Sequence, residues 1–219
     1  MGTTSRTWMV PLVILALFGG ALYLRAHPAA TAGAHDRQVG EISDAERAAT
    51  FTFAPGTAEA DQAAVLQAVA DARPEAQRLI AMVDGLADIH VAGTSANIVG
   101  TTESEGNRYR VTLNLGMAAR IHGKRGIDRL VLHELGHVVD FALVPAALDA
   151  QLDAAIPAGY GCDDGGLSGA CAAPEERFAE SFAKWATRDI GVGVDLGYKV
   201  PPPDDLESWG APLAALVKA

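Results

Sequence analysis

Apolar and polar residues alternate along this chain with a period that changes from segment to segment. Residues 8–24 carry no charge and are bracketed by Arg6 and Arg25. As a helix they would run roughly 25 Å, at the short limit for crossing a bilayer. Residues 26–43 are rich in Ala, His, Gly and Asp without any period and read as a linker. Helical spacing follows: Val65, Leu66 and Val69 mark a helix over 58–73, and Pro74 opens another that ends near Gly85. The period then shortens to two. Residues 89–92 and 97–102 read as short strands and 103–107 as a turn. Residues 108–115 read as a half-buried strand with Tyr109, Val111, Leu113 and Leu115 on one face. Helices are predicted again over 126–145, around 146–155 and over 174–185, the last with Pro174 in its first turn and an apolar stripe of Phe178, Phe182 and Trp185. The pattern predicts an α+β domain with a small mixed sheet.

The helix over 126–145 carries the chemistry. His133-Glu134-Leu135-Gly136-His137 sets two imidazoles four residues apart. That spacing advances the helix about 40° beyond a full rotation, so both rings can grip one Zn²⁺. Glu134 stands roughly 100° round from His133, where a general base can take a proton from zinc-bound water whose pKa is lowered to about 7. Chance alone would place such a motif in roughly one chain per hundred of this composition, so its context matters. Asp128 offers first-turn acid, Pro145 stops the run, and Leu132, Leu135, Val138 and Val139 give apolar cover. Gly136 costs about 1 kcal/mol in a helix interior, which points to a close neighbour, either a second helix or a substrate backbone. The competing reading is an ordinary buried helix with two core histidines. Asp140, seven residues after His133, returns to nearly the same face. There it can accept the spare N–H of a ligand imidazole, or pair as a helix-end acid with a surface Arg.

A catalytic zinc takes three protein ligands and keeps a position for water. Three and six residues beyond His137, where a metzincin carries Gly and His, this chain has Asp140 and Leu143, and no histidine follows His137. A carboxylate must therefore serve. Glu176 and Glu180 lie at i and i+4 on the 174–185 helix and share a face, while Glu175 reads as a cap. Asp163 and Asp164 offer a third ligand or a calcium contact, although a solvated Gly-rich turn explains them as well.

With these residues the chain resembles the gluzincin metallopeptidases. It resembles more closely the lethal-factor-like and Pro-Pro endopeptidase group, whose catalytic domains pair an HE-x-GH-x-VD helix with an E-x-FAE-x-F helix. Residues 133–140 and 176–182 match those motifs as they stand, within a resemblance covering about residues 85–190. The resemblance implies a zincin-like catalytic domain acting on a peptide or protein substrate. It also implies Glu176 as the third zinc ligand and Glu180 as support for a ligand histidine, with exchange of the two as the alternative. In that group a strand such as 108–115 runs along the cleft and pairs with extended substrate. The group also places a Tyr shortly before the glutamate helix to stabilise the oxyanion. Seven residues before Glu176 this chain has Gly169, so the spacing departs; Tyr160 is the nearest upstream tyrosine. It reads either as the catalytic electrophile or as a turn residue beside Gly159 and Gly161.

Cys162 and Cys171 are the only cysteines and close the Gly-rich loop ahead of the glutamate helix. A disulfide across about ten residues would contribute roughly 2–3 kcal/mol in the chain-entropy model and would persist in an oxidising space. Zinc ligation by the pair competes, although the spacing is not the usual one. Together with residues 8–24, this predicts a catalytic domain outside the cytoplasm. It would be held by a single-pass membrane anchor, or secreted after cleavage near Ala32-Gly33-Ala34. Acidic residues exceed basic ones by 27 to 17, which argues against nucleic acid as a partner and serves solubility equally well. His90 and His122 read as structural or exposed, and 200–203 as a stiff polyproline segment. The expected organisation is an anchor or signal over 1–27, a linker over 28–45, a catalytic domain over 46–205 and a C-terminal tail over 206–219. The expected function is zinc-dependent hydrolysis of peptide bonds with one Zn²⁺ per chain. A zinc amidase acting on cell-wall peptides is an alternative. So is a zinc-binding module without turnover, against which Glu134 argues.

Overall fold

A computed structural model describes residues 51–93, 98–159, 172–194, 196–197 and 199–217. All lie in the compact unit Val39–Ala219; the other unit, Met1–Gln38, falls outside the described residues. So do the linker over 28–45, Tyr160, Asp163, Asp164, Cys162 and Cys171, and with them the anchor, electrophilic-tyrosine and disulfide readings. Among the described residues no helix is long and apolar enough to cross a membrane.

The elements in chain order are β1 (Thr52–Phe53), α1 (Glu59–Ala70), α2 (Pro74–Val83), β2 (Ala87–Val91), β3 (Gly100–Glu105), β4 (Arg108–Leu113), α3 (Leu115–Leu143), α4 (Ala146–Ala154), α5 (Pro174–Thr187) and α6 (Leu206–Leu216). The strands form one mixed sheet in the order β1-β2-β4-β3. β2 runs parallel to β1 and β4, and β3 runs antiparallel to β4. Alternation sorts its faces: Ala87, Ile89, Val111 and Leu113 are buried in the core, while Asp88, Arg108 and Arg110 occupy the opposite face. The core joins this apolar face to Val65 and Val69 of α1, Leu79, Ile80 and Val83 of α2, and the buried sides of α3, α5 and α6.

Three of the departures from the expectation matter most for the site. Residues 103–105 are strand rather than turn, because the hairpin closes through Gly106 and Asn107 alone, with Gly106 at φ 67° and Glu105 opposite Arg108. β4 stops at Leu113, and Leu115 opens a helix instead of continuing the strand. Asn114 switches the chain between them: its Oδ1 accepts from the Met117 N–H at 3.0 Å and caps α3. α3 therefore starts before residue 126 and is broken at Gly123, whose φ of 61° and ψ of −144° interrupt the helix without a Cβ penalty. Residues 206–216, expected within a tail, form a helix capped by Asp205, which accepts from the Glu207 and Ser208 N–H groups. Trp209 and Leu213 of that helix are buried, and the Trp209 indole donates to the Leu152 carbonyl at 3.1 Å.

Candidate metal centre

The site forms where α3 and α5 press together. Gly136 makes the contact possible: a Cβ there would meet the Phe182 ring at 3.1 Å and the Ala179 Cα at 3.3 Å. The close neighbour is thus the second helix, and its approach brings the glutamates of α5 to the histidines of α3. His133 Nε2 lies 3.1 Å and His137 Nε2 3.4 Å from the same oxygen, Oε2 of Glu176. One ligand atom from each of the three residues falls within 4.8 Å of the others. Tetrahedral zinc with bonds near 2.0–2.1 Å separates its ligand atoms by about 3.3 Å, so this donor set fits such an ion. The chemistry fits as well, since two imidazoles and a carboxylate are ordinary zinc ligands. Phe141 stacks on His137 with ring centroids 5.8 Å apart, fixing the plane of that ring.

Burial opposes charge on His133, but Glu176 and Glu180 outweigh it and push its pKa up to about 10. Burial would raise the Glu176 carboxyl, yet the charge of His137 and the hydrogen bond from His133 hold it well below the usual carboxylate range. A metal held here would have to displace the His133 proton, so its binding would be linked to pH.

Glu134 is buried, and that burial raises its pKa above the ordinary carboxylate value. It belongs to the same helix as the two histidines but not to their ligand cluster. The edge of the sheet holds it. Thr102 of β3 donates its hydroxyl to Glu134 Oε2 at 2.8 Å and lies 3.1 Å from the Glu134 carbonyl. Gly100, two residues earlier, clears space for the other oxygen: a Cβ there would stand 2.3 Å from Oε1. Thr102 and Gly100 carry no signal in the sequence, because their role arises from the packing of β3 on α3.

Glu180 turns its Oε2 to His133 Nδ1 at 3.2 Å. Its other oxygen meets two buried cations, Arg129 and Lys184. The spare nitrogen of His133 therefore faces Glu180 rather than Asp140. Asp140 is buried on α3 close to Tyr109, whose pKa is raised by its own burial and then by the Asp140 charge. The Nδ1 of His137 has no hydrogen-bond partner among the described residues, so Asp140 does not take that proton either. The structure thus gathers His133, Glu134, His137, Glu176 and Glu180 in one place, with Asp140 buried further along the same helix. No family model, no curated protein and no solved structure matches this chain.

Proposed function

We propose that this chain is a zinc-dependent endopeptidase with a zincin-like catalytic domain, in which His133, His137 and Glu176 hold the ion and Glu134 moves the proton. One observation carries the reading. Two imidazole nitrogens and a carboxylate oxygen converge at separations suited to a tetrahedral ion, and beside them lies a buried carboxylate that the ion does not need. Bound zinc would supply Lewis acidity, lowering the pKa of a water in its open position to about 7 and polarising the scissile carbonyl. Glu134 accepts the proton of the attacking water and returns it to the departing amine. Thr102 holds one carboxylate oxygen, so the other keeps a fixed direction.

Substrate pairing belongs to β3 in this reading. β4 is flanked by β2 and β3, so its ladder is filled, whereas β3 is an edge among the described residues. An extended peptide added to β3 would lie beside Glu134, which β3 already touches through Thr102. The placement outside the cytoplasm, by membrane anchor or secretion, remains part of the proposal on the strength of the N-terminal segment and the cysteine pair alone.

The test measures zinc content and peptide cleavage on the same preparations. The full chain should bind about one zinc and cut internal bonds of a diverse peptide mixture, with loss of cleavage on chelation. Glu134→Gln should lose about 10²–10⁴-fold in rate while keeping its zinc, and His137→Ala should lose both. A metal-free or fully active Glu134→Gln would sink the assignment. Hydrolysis of muropeptides without cleavage of peptides would replace it with the cell-wall amidase.

A further inference from the structure

Arg129 and Lys184 are only 2% and 4% exposed, and the proton transfer described above uses neither. Both reach the same atom. Arg129 Nη1 lies 3.2 Å and Lys184 Nζ 3.3 Å from Oε1 of Glu180, whose Oε2 faces His133 Nδ1 at 3.2 Å. Each cation is also held from behind by main chain. Arg129 Nη2 donates to the Asp189 carbonyl at 2.8 Å, and Lys184 Nζ donates to the Val200 carbonyl. Gly191, at φ 83°, completes the fit: a Cβ there would stand 2.7 Å from Arg129 Nη2. Desolvating two cations around one carboxylate opposes folding, and apolar side chains of similar volume often pack as stably. Stability alone therefore gives no account of them.

We propose that Arg129 and Lys184 are positioning residues of the metal centre, acting through Glu180 on His133. The Arg129 hydrogen bond and the Lys184 charge at Oε1 stop the carboxylate from turning, which presents Oε2 to His133 Nδ1. A ring held at Nδ1–H keeps the Nε2 lone pair for a metal and keeps its plane fixed. The clamp also ties the segment that follows α5 to the back of the site through the Asp189 and Val200 carbonyls. This inference rests on the zinc reading of the preceding subsection and adds to it the groups that make His133 a rigid ligand.

The experiment compares zinc dissociation constants, by chelator competition, with the melting temperatures of the metal-free proteins. Arg129→Met and Lys184→Met should each weaken zinc binding roughly tenfold, and Arg129→Lys should recover part of the loss. Arg73→Met is the control for general destabilisation, since Arg73 is equally buried but pairs with Glu207 and lies 4.6 Å over the Trp185 ring. It should lower the melting temperature and leave zinc affinity unchanged. Should Arg129→Met fail to fold, Lys184→Met and Arg129→Lys carry the comparison. Wild-type affinity in the Arg129 and Lys184 variants, or an equal loss in Arg73→Met, overturns the positioning role. A wild-type chain that binds no zinc overturns the parent reading instead.

Discussion

Two parts of this molecule are rich in charge, and they use it in opposite ways. On the outward face of the sheet, Arg108 donates to Asp88 at 2.7 Å and Arg110 to Glu105 at 2.6 Å. In the seam between α3 and α5 the contacts among His133, His137, Glu176, Glu180 and Arg129 are longer, from 3.1 to 3.4 Å. Length alone would rank the sheet pairs first. Exposure reverses the order. Side chains of the sheet pairs are 27–46% exposed, so water and salt can replace either partner. Those of the seam are 3–23% exposed, and a group that loses its partner there has little water to turn to. Each seam residue also depends on the next, from the Asp189 carbonyl through Arg129, Glu180 and His133 to Glu176. The consequence is that a substitution in the seam should be read out at the metal, while one on the sheet should stay local.

The largest break in that contrast should come from removing a ligand. Glu176→Ala should weaken zinc binding by more than about 100-fold, because the proposal makes Glu176 a direct donor. Glu180→Ala should cost about 10–100-fold, as removal of an outer partner typically does. Chelator competition on both variants settles the order, and the reverse order would exchange their roles. Gly100→Ala tests the same seam from the sheet side. Its new methyl would stand 2.3 Å from Glu134 Oε1 and 2.7 Å from the Leu130 side chain, so the Glu134 carboxylate must move. A misplacement near 1 Å can cost about 100-fold in rate, and zinc content should be unaffected. A Gly100→Ala variant with wild-type kcat would show that Glu134 is not held where the proposed mechanism needs it.

Thr102→Val is a gentler form of the same test. It removes one hydroxyl donor from Glu134 and keeps the shape of the side chain. A hydrogen bond to a charged group contributes about 1.5 kcal/mol at the lower end, which is roughly tenfold in rate if the bond matters in the transition state. Steady-state kinetics should show the loss in kcat, with metal affinity within twofold of wild type.

These residues also mark how far the sequence could be read. His133, Glu134 and His137 are legible because one helix carries them and the 3.6-residue period fixes their relation. Glu176 and Glu180 are legible as a pair for the same reason. What links the two helices left one trace, Gly136, whose helix cost pointed to a close neighbour. Thr102 and Gly100 left none, since their role depends on where β3 lies against α3. Arg129 and Lys184 left no trace either, since a lone cation on a helix is usually a surface group, whereas here both are buried and meet the Asp189 and Val200 carbonyls. Elsewhere, local rules misled. Alternation ran on through Leu115, although Asn114 ends the strand and caps α3. Gly210 and Pro212 hid α6 despite the Asp205 cap and the spacing of Trp209 and Leu213. Gly210 is there for contact: a Cβ would collide with the Trp185 indole nitrogen.

The smallest effect belongs to the sheet face, and its smallness is the point. Arg108 holds the Asp88 carboxyl below its ordinary pKa mainly through their hydrogen bond, against the opposing effect of burial. Asp88→Asn removes the charge and keeps an acceptor for the Arg108 guanidinium, which also donates to the Gly85 carbonyl at 2.7 Å. Surface substitutions of this kind usually change little, so the melting temperature should stay within about 2 °C of wild type. Zinc affinity and kcat should be unchanged, because Asp88 lies on the face of the sheet turned away from Thr102 and Glu134. Calorimetry and chelator titration of this one variant check both statements. A tenfold loss of zinc affinity from Asp88→Asn would mean that the sheet transmits strain across its thickness to β3. The separation of the two charged regions would then fail, and Thr102 would have to be treated as part of the same coupled network as the outer ladder.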